Sequence, residues 1–427
     1  MLLFNLNRLL ERERMENLFF DPVEYIKGIQ QLLISDKKRI AFLCGAGTSL
    51  AKKNKETKNA PAVDEMTRNV VNELKRNPKY ETAIDEIVTE ITRDKFNIES
   101  FLSNVEEKKN IIGNGQLNGL KRKEFEDLAV EIEKLIHKEV SIHERIGNSD
   151  YSNMVHNDFA KWIIKAERQY PVEIFTTNYD YLFEMGLENN DIPYFDGFTG
   201  GYKPFFLAEL TENFTYLPRQ TKLWKIHGSL GWKIDDKKRV IRTNPDDKDL
   251  LIYPSISKYE HSKKLPYTAL MDRLCNYLKQ EDSVLFVCGY SFSDEHINER
   301  ILSGLRGEST SHVYVFFYDI VWNENKKEYS FTEDHSLAQI ALSNSRVSVF
   351  ACRNAVIGGQ YGEWCLKREP DSDDTIGVSL FFDEDAPENM NVPLNTEQKG
   401  NEGWTGKGEF ILPDYAKFVA FLQSLIY

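Results

Sequence analysis

The sequence predicts an α/β protein built on a doubly wound parallel sheet. Short apolar runs such as Ile40 to Cys44, Val284 to Cys288 and Val313 to Phe317 suit strands covered on both faces, the condition of a parallel sheet. Stretches of helical period lie between the runs, so strands and helices alternate. Two of the runs also end in glycine turns, Gly45-Ala46-Gly47-Thr48-Ser49 and Gly289-Tyr290-Ser291. In such sheets ligands bind beyond the carboxyl ends of the strands, where these turns fall.

In chain order, Asp21-Pro22-Val23-Glu24 predicts a helix start, with Asp21 as cap, Pro22 at the first helical position and Glu24 reaching back. Val23, Ile26, Ile29 and Leu33 then share a face. Residues 1–36 form an N-terminal helical arm in this reading. The first strand runs into the Gly45 turn, and the lysine-rich stretch Ala51 to Ala60 is expected to be mobile or ligand-gated. Residues 55–169, rich in helical period, are expected as a helical module inserted between the first two strands. Phe125, Leu128, Ala129, Ile132, Leu135, Ile136 and Val140 make one apolar stripe in it, and Val155, Phe159, Trp162, Ile163 and Ala166 another. Strands are expected again at Val172 to Thr176, Leu223 to Ile226, Val284 to Cys288, Val313 to Phe317 and Arg346 to Ala351. Helices are expected at Thr268 to Leu278 and Glu295 to Leu305. The main domain thus spans 37–330. Residues 331–427 read as a strand, a loop-rich appendage over Asn354 to Gly408 with room for a hairpin, and a closing helix from Tyr415 to Leu425.

Bulk properties narrow the function. A chain of 427 residues can bury a large core, and its net charge of −13 argues against a general affinity for nucleic-acid backbone. The longest apolar stretches fall well short of the roughly 20 residues a membrane span needs. Met1-Leu2-Leu3-Phe4 is followed at once by polar residues, unlike a signal peptide. Cys44, Cys275, Cys288, Cys352 and Cys365 contain no C-x-x-C pair, so no structural zinc is expected, and the scattered thiols suit a reducing cytoplasm.

Several residues at these turns and strand ends carry chemistry. Thr177-Asn178-Tyr179-Asp180 follows a strand end. Asn178 offers donor and acceptor and Asp180 an acceptor, which suits ribose hydroxyls or a water, although both residues are also common in plain turns. His227, before Gly228-Ser229, ends another strand and can serve as a general base near neutral pH; a bonded structural histidine is the alternative. Ser49 can cap a helix or donate to a phosphate. Asp294 can cap the helix carrying His296 and Asn298.

Taken in order, these stretches resemble the sirtuin superfamily over roughly residues 36 to 320. Gly45-Ala46-Gly47-Thr48-Ser49 is similar to its first nucleotide-binding turn, and Thr177-Asn178-Tyr179-Asp180 to its Thr-Gln-Asn-Ile-Asp segment. His227-Gly228 is similar to its catalytic His-Gly, and Gly289-Tyr290-Ser291 to its later Gly-Thr-Ser turn. The resemblance implies a Rossmann-like domain that binds NAD and cleaves the nicotinamide–ribose bond. It implies Asn178, Asp180 and His227 as catalytic residues, with His227 as the base. It implies Gly45, Ala46, Gly47 and Ser49 at the pyrophosphate, and Thr177, Gly289, Tyr290 and Ser291 as further binding residues.

The departures are informative. Deacetylating sirtuins carry a zinc ribbon of four cysteines and an Ile-Pro-Asp-Phe-Arg segment after the first turn; here the helical module and Leu50-Ala51-Lys52-Lys53 stand instead. The combination resembles the sirtuin-like NAD hydrolases of bacterial anti-phage defence, most closely the stand-alone subunit that pairs with a HerA-type hexameric ATPase. The resemblance therefore implies a cytoplasmic, oligomeric NAD+ glycohydrolase with NAD as substrate and no metal. The alternatives are an ADP-ribosyltransferase or deacylase of the sirtuin type, and a non-catalytic NAD or ADP-ribose sensor.

Overall fold

The structure is a computed structural model. It describes residues 18–426 apart from 93–95, 167, 246–248, 253–265, 308–309, 324–325, 372–375 and 387–403. The expected N-terminal arm lies outside the described residues as far as residue 17.

A ten-stranded sheet organises the chain. In chain order its strands are β1 (Phe19–Phe20), β2 (Arg39–Cys44), β3 (Glu173–Thr176), β4 (Tyr194–Phe195), β5 (Thr221–Lys225), β6 (Ser283–Cys288), β7 (His312–Phe317), β8 (Val347–Ala351), β9 (Asn354–Ile357) and β10 (Gln360–Trp364). Across the sheet they stand β1-β10-β9-β8-β7-β6-β2-β3-β5-β4. Pairing is parallel from β4 through to β8. The antiparallel pairs β8–β9 and β9–β10 extend one side, and β1 pairs parallel to β10 at its edge.

The helices are α1 (Pro22–Ile34), α2 (Ala46–Leu50), α3 (Val63–Leu74), α4 (Pro78–Ile91), α5 (Ile98–Ile111), α6 (Arg122–Val140), α7 (Val155–Lys165), α8 (Leu182–Glu188), α9 (Ala208–Glu212), α10 (Tyr267–Leu278), α11 (Glu295–Leu305), α12 (Ser336–Ser343) and α13 (Tyr415–Ser424). They cover both faces of the sheet. Side chains alternate along a strand, so Ile40, Phe42 and Cys44 of β2 join one core, with α1, α7 and α13. Ala41 and Leu43 join the other, with α10, α11 and α12. In the first core Phe42 stacks on Phe286 with centroids 5.6 Å apart and meets Phe159 edge-on at 4.9 Å. Both faces being apolar is why β2 and β6 read as unbroken hydrophobic runs.

Between β2 and β3 the helices α3 to α6 bury a core of their own, including Val70, Ile84, Phe101, Phe125 and Ile132. Helix α7, expected within this module, packs on the sheet instead. Its Val155, Phe159 and Trp162 belong to the core of β2, and it lies against α13. Helical period shows that a face is buried but not against what. In the lysine-rich stretch Lys53 pairs with Asp158 at 2.6 Å and Lys58 with Asp150 at 3.2 Å. Asn354 to Trp364, expected in a loop-rich appendage, is a hairpin that extends the main sheet. Asp21 caps α1 through Val23 N at 3.0 Å, but Glu24 turns outward to Lys367 rather than back to the cap.

A buried ion pair fixes β3 to α10. Arg273 donates through Nε to Glu173 Oε2 at 2.9 Å and through NH2 to Oε1 at 2.5 Å, and Trp224 Nε1 donates to the same carboxylate at 2.8 Å. Both charged side chains are almost fully buried. Removing one partner strands the other's charge in low dielectric. Arg273→Met should therefore cost about 3–5 kcal/mol, read as a lowered midpoint in urea unfolding.

Candidate active site

Four of the sequence-selected stretches follow β6, β2, β3 and β5, which stand side by side in the sheet. Their turns therefore lie side by side at the carboxyl edge of the sheet. The first and last meet directly. Gly45 N donates to Cys288 O at 3.0 Å and Gly47 N to Gly289 O at 2.9 Å. A Cβ on Gly45 would lie 2.4 Å from Gly289 O, and one on Gly289 2.5 Å from Thr48 N. Gly289 also has φ +61°, a conformation side chains disfavour. The glycines are thus explained by turn-on-turn packing. The expectation that they let the backbone approach a ligand is met here by another stretch of backbone. The amides of Gly45 and Gly47 are already donated, so a phosphate on this turn must draw on other donors.

Asn178 and Asp180 belong to the loop after β3. Thr177 N and Thr176 Oγ1 both donate to Cys44 O, at 3.1 and 2.9 Å, which locks this loop to the end of β2. Asn178 Nδ2 reaches Gly45 O at 3.1 Å, Thr48 Oγ1 at 3.0 Å and Ser49 Oγ at 2.7 Å. Ser49 Oγ donates to Asp180 Oδ2 at 2.6 Å, and Asp180 Oδ1 accepts from Leu182 N at 3.0 Å, starting α8. Ser49 lies within α2, whose cap position is Gly45 without a side-chain bond, so Ser49 is not the helix cap. From beneath, buried Lys225 donates to the carbonyls of Tyr179 and Asp180 and to Glu184 Oε1 at 2.9 Å. Burial pushes the Glu184 carboxyl up, against the lowering pull of Lys225. His156 of α7 is buried and pushed down to about 4, against the opposing influence of Asp180, so it is neutral at physiological pH.

His227 follows β5 and is buried between two carboxylates. Its Nε2 lies 3.0 Å from Asp294 Oδ2 and its Nδ1 3.5 Å from Glu99 Oε1. Asp294 does cap α11 as expected, its Oδ1 accepting from His296 N at 3.0 Å, while its other oxygen serves the histidine. Tyr290 OH donates to Asp294 O at 3.1 Å. Tyr179 OH donates to Glu99 Oε1 at 2.9 Å and so joins the histidine cluster to the Asn178 loop. Of the expected binding residues, Tyr290 is buried in its turn, whereas Ser291 is solvent-facing and bonded to Ser293 Oγ at 2.9 Å; Ala46 and Thr177 are half-buried at the crevice edge.

Residues 172–340 match the family model described as SIR2-like domain. The match covers less than half of the chain. No curated protein matches the chain. The matched span contains Thr177 to Asp180, His227 and the Gly289 turn; the Gly45 turn and Glu99 lie outside it. A SIR2-like domain implies binding or use of NAD. Among the described residues, no cluster of His, Cys, Asp or Glu is arranged to hold a metal ion, and no helix is long and apolar enough to cross a membrane.

A cavity of about 450 Å³ lies elsewhere, beyond β7 and β8, lined by Tyr318, Cys352, Asp383, Glu409 and Asp414 among others. Its acidic side chains outnumber its lysines, which disfavours a dinucleotide's phosphates. Sequence reasoning missed Glu99, Lys225 and Glu184, and saw Asp294 only as a cap. A charged residue inside a buried strand was an available signal for Lys225, but it marks Lys222 and Glu173 equally.

Replacing Gly289 tests the turn-on-turn contact. Gly289→Ala should lose about 1–3 kcal/mol through strain and displaced backbone, lowering Tm. Gly28→Ala, on an open face of α1 with nothing within 4 Å, should instead gain about 0.5–1 kcal/mol.

Proposed function

We propose that this chain is an NAD+ glycohydrolase, cleaving NAD+ to nicotinamide and ADP-ribose with water as acceptor. The observation that carries the reading is an Asn–Asp loop beside a carboxylate-flanked histidine, at the carboxyl ends of adjacent parallel strands, in a chain with a SIR2-like domain.

In this reaction the bond between the ribose C1′ and the nicotinamide nitrogen breaks, and its electron pair leaves with nicotinamide. The ribosyl centre left behind is cationic and oxocarbenium-like. Water adds to it and gives up a proton. In this reading Asn178 and Asp180 hold ribose hydroxyls and the water, and His227 takes the proton. Asp294 at Nε2 holds the ring, and the carboxylates of Asp180, Asp294 and Glu99 oppose the developing positive charge. Ala46, Ser49, Thr177, Gly289, Tyr290 and Ser291 border the remainder of the dinucleotide. Ser49, Asn178 and Asp180 are bonded to one another, so substrate binding exchanges those bonds for its own.

That mutual bonding suits an enzyme held in check. We therefore read the chain as a NAD-depleting effector in anti-phage defence, working as a homo-oligomer with a HerA-type ATPase; the support for role and partner is the resemblance of its motifs. The same bonding also favours a second reading, a sensor that binds NAD or ADP-ribose without turnover.

The test is product chromatography on the purified chain. Wild type should release nicotinamide and ADP-ribose in equal amounts. His227→Ala and Asn178→Ala should each lose about 10²–10⁴-fold in kcat with the fold retained. Near wild-type hydrolysis by either variant contradicts the assignment. NAD bound but unconsumed by wild type supports the sensor, and label transferred to protein supports a transferase.

A further inference from the structure

Glu99 reaches the crevice from a part of the chain that the SIR2-like match does not include. It is the second residue of α5, in the helical module. Asn97 caps that helix, its side chain accepting from Glu99 N at 3.0 Å and Ser100 N at 2.9 Å. A carboxylate in a first turn is favoured by the helix's positive end. Ile98 N donates to Thr67 Oγ1 at 3.0 Å, which ties the start of α5 to α3. The position of Glu99 is therefore set by the module's own packing.

Its carboxylate bridges two groups of the crevice. It accepts from Tyr179 OH at 2.9 Å and faces His227 Nδ1 at 3.5 Å, while Asp294 holds the opposite ring nitrogen at 3.0 Å. The ring is thus bonded on one side to Asp294 of α11 and faces on the other the carboxylate that the module contributes through Glu99. The neighbouring phenols stay neutral: burial raises Tyr179, Tyr267 and Tyr290 above the ordinary tyrosine range. Two carboxylates, those of Glu99 and Asp294, face His227.

We propose that Glu99 is a positioning residue through which the inserted helical module sets the orientation and proton affinity of His227. Any movement of the module that withdraws Glu99 lowers that affinity, so the module's placement is coupled to the state of the ring. The kinetic consequence rests on the reading of His227 as the base; the effect on the ring itself does not.

The test is the titration of His227 by NMR in histidine-labelled full-length protein, with the resonance assigned by its loss in His227→Asn. Glu99→Gln keeps size and removes charge. It should lower the midpoint of the His227 titration by about one to three units. The acidic limb of the kcat profile should move down with it, because a base with a lower midpoint is unprotonated at lower pH. Glu99→Ala serves if the first variant fails to fold, since alanine is a good helix former. An unchanged His227 titration in a folded variant overturns the proposal. A shifted titration with an unshifted kcat profile upholds the positioning and removes His227 as the base.

Discussion

The contact between two backbone turns sets the geometry of this molecule's crevice. β2 and β6 pair in register to Cys44 and Cys288, and the chain turns at once after each. Because Gly45, Gly47 and Gly289 carry no side chains, the two turns close to hydrogen-bond distance, with Gly47 N on Gly289 O. Everything at the crevice is measured from that junction. Asn178 binds the carbonyl of Gly45, and Asp180 binds Ser49 one helical turn on. On the other flank the Gly289 turn leads to Asp294, which holds His227. A methyl group at any of the three glycines would push apart the elements that carry the candidate chemistry.

The second constraint is charge in a buried place. Asp180, Asp294, Lys225 and His227 are all largely buried, and isolated charges there would be costly. Each is instead bonded to a neighbour or to backbone, so the crevice is a closed network rather than a set of idle groups. Such a network is rigid when complete. A ligand that enters must replace its bonds, and a segment that leaves must surrender them. Glu99 is the member whose side chain is most open to solvent and the one contributed by the helical module, so it is where outside influence enters most readily.

Much of the fold was legible, and the reasons are specific. Ile40 to Cys44 and Val284 to Cys288 read as doubly covered strands because both faces are apolar, and Glu295 to Leu305 read as a helix because Asp294 announces it. The candidate site was legible where it lies next to strand ends: Asn178, Asp180 and His227. Its partners were not. Glu99 looks like any first-turn helix acid, and only tertiary folding brings it to a histidine far along the chain. Helix α7 was assigned to the wrong layer because its stripe does not name its neighbour. A hairpin within Asn354 to Gly408 was legible, but not that its strands on either side of Gly358-Gly359 join the main sheet.

The central claim is that the turns after β2, β3, β5 and β6 form one dinucleotide site. Amide hydrogen exchange with and without ADP-ribose addresses it most directly, since it reports location whether or not the chain turns over substrate. Protection on binding should concentrate at 45–50, 177–181, 227–229 and 289–294. Protection confined to the acidic cavity around Tyr318 and Glu409, or absent at saturating ligand, would contradict the account.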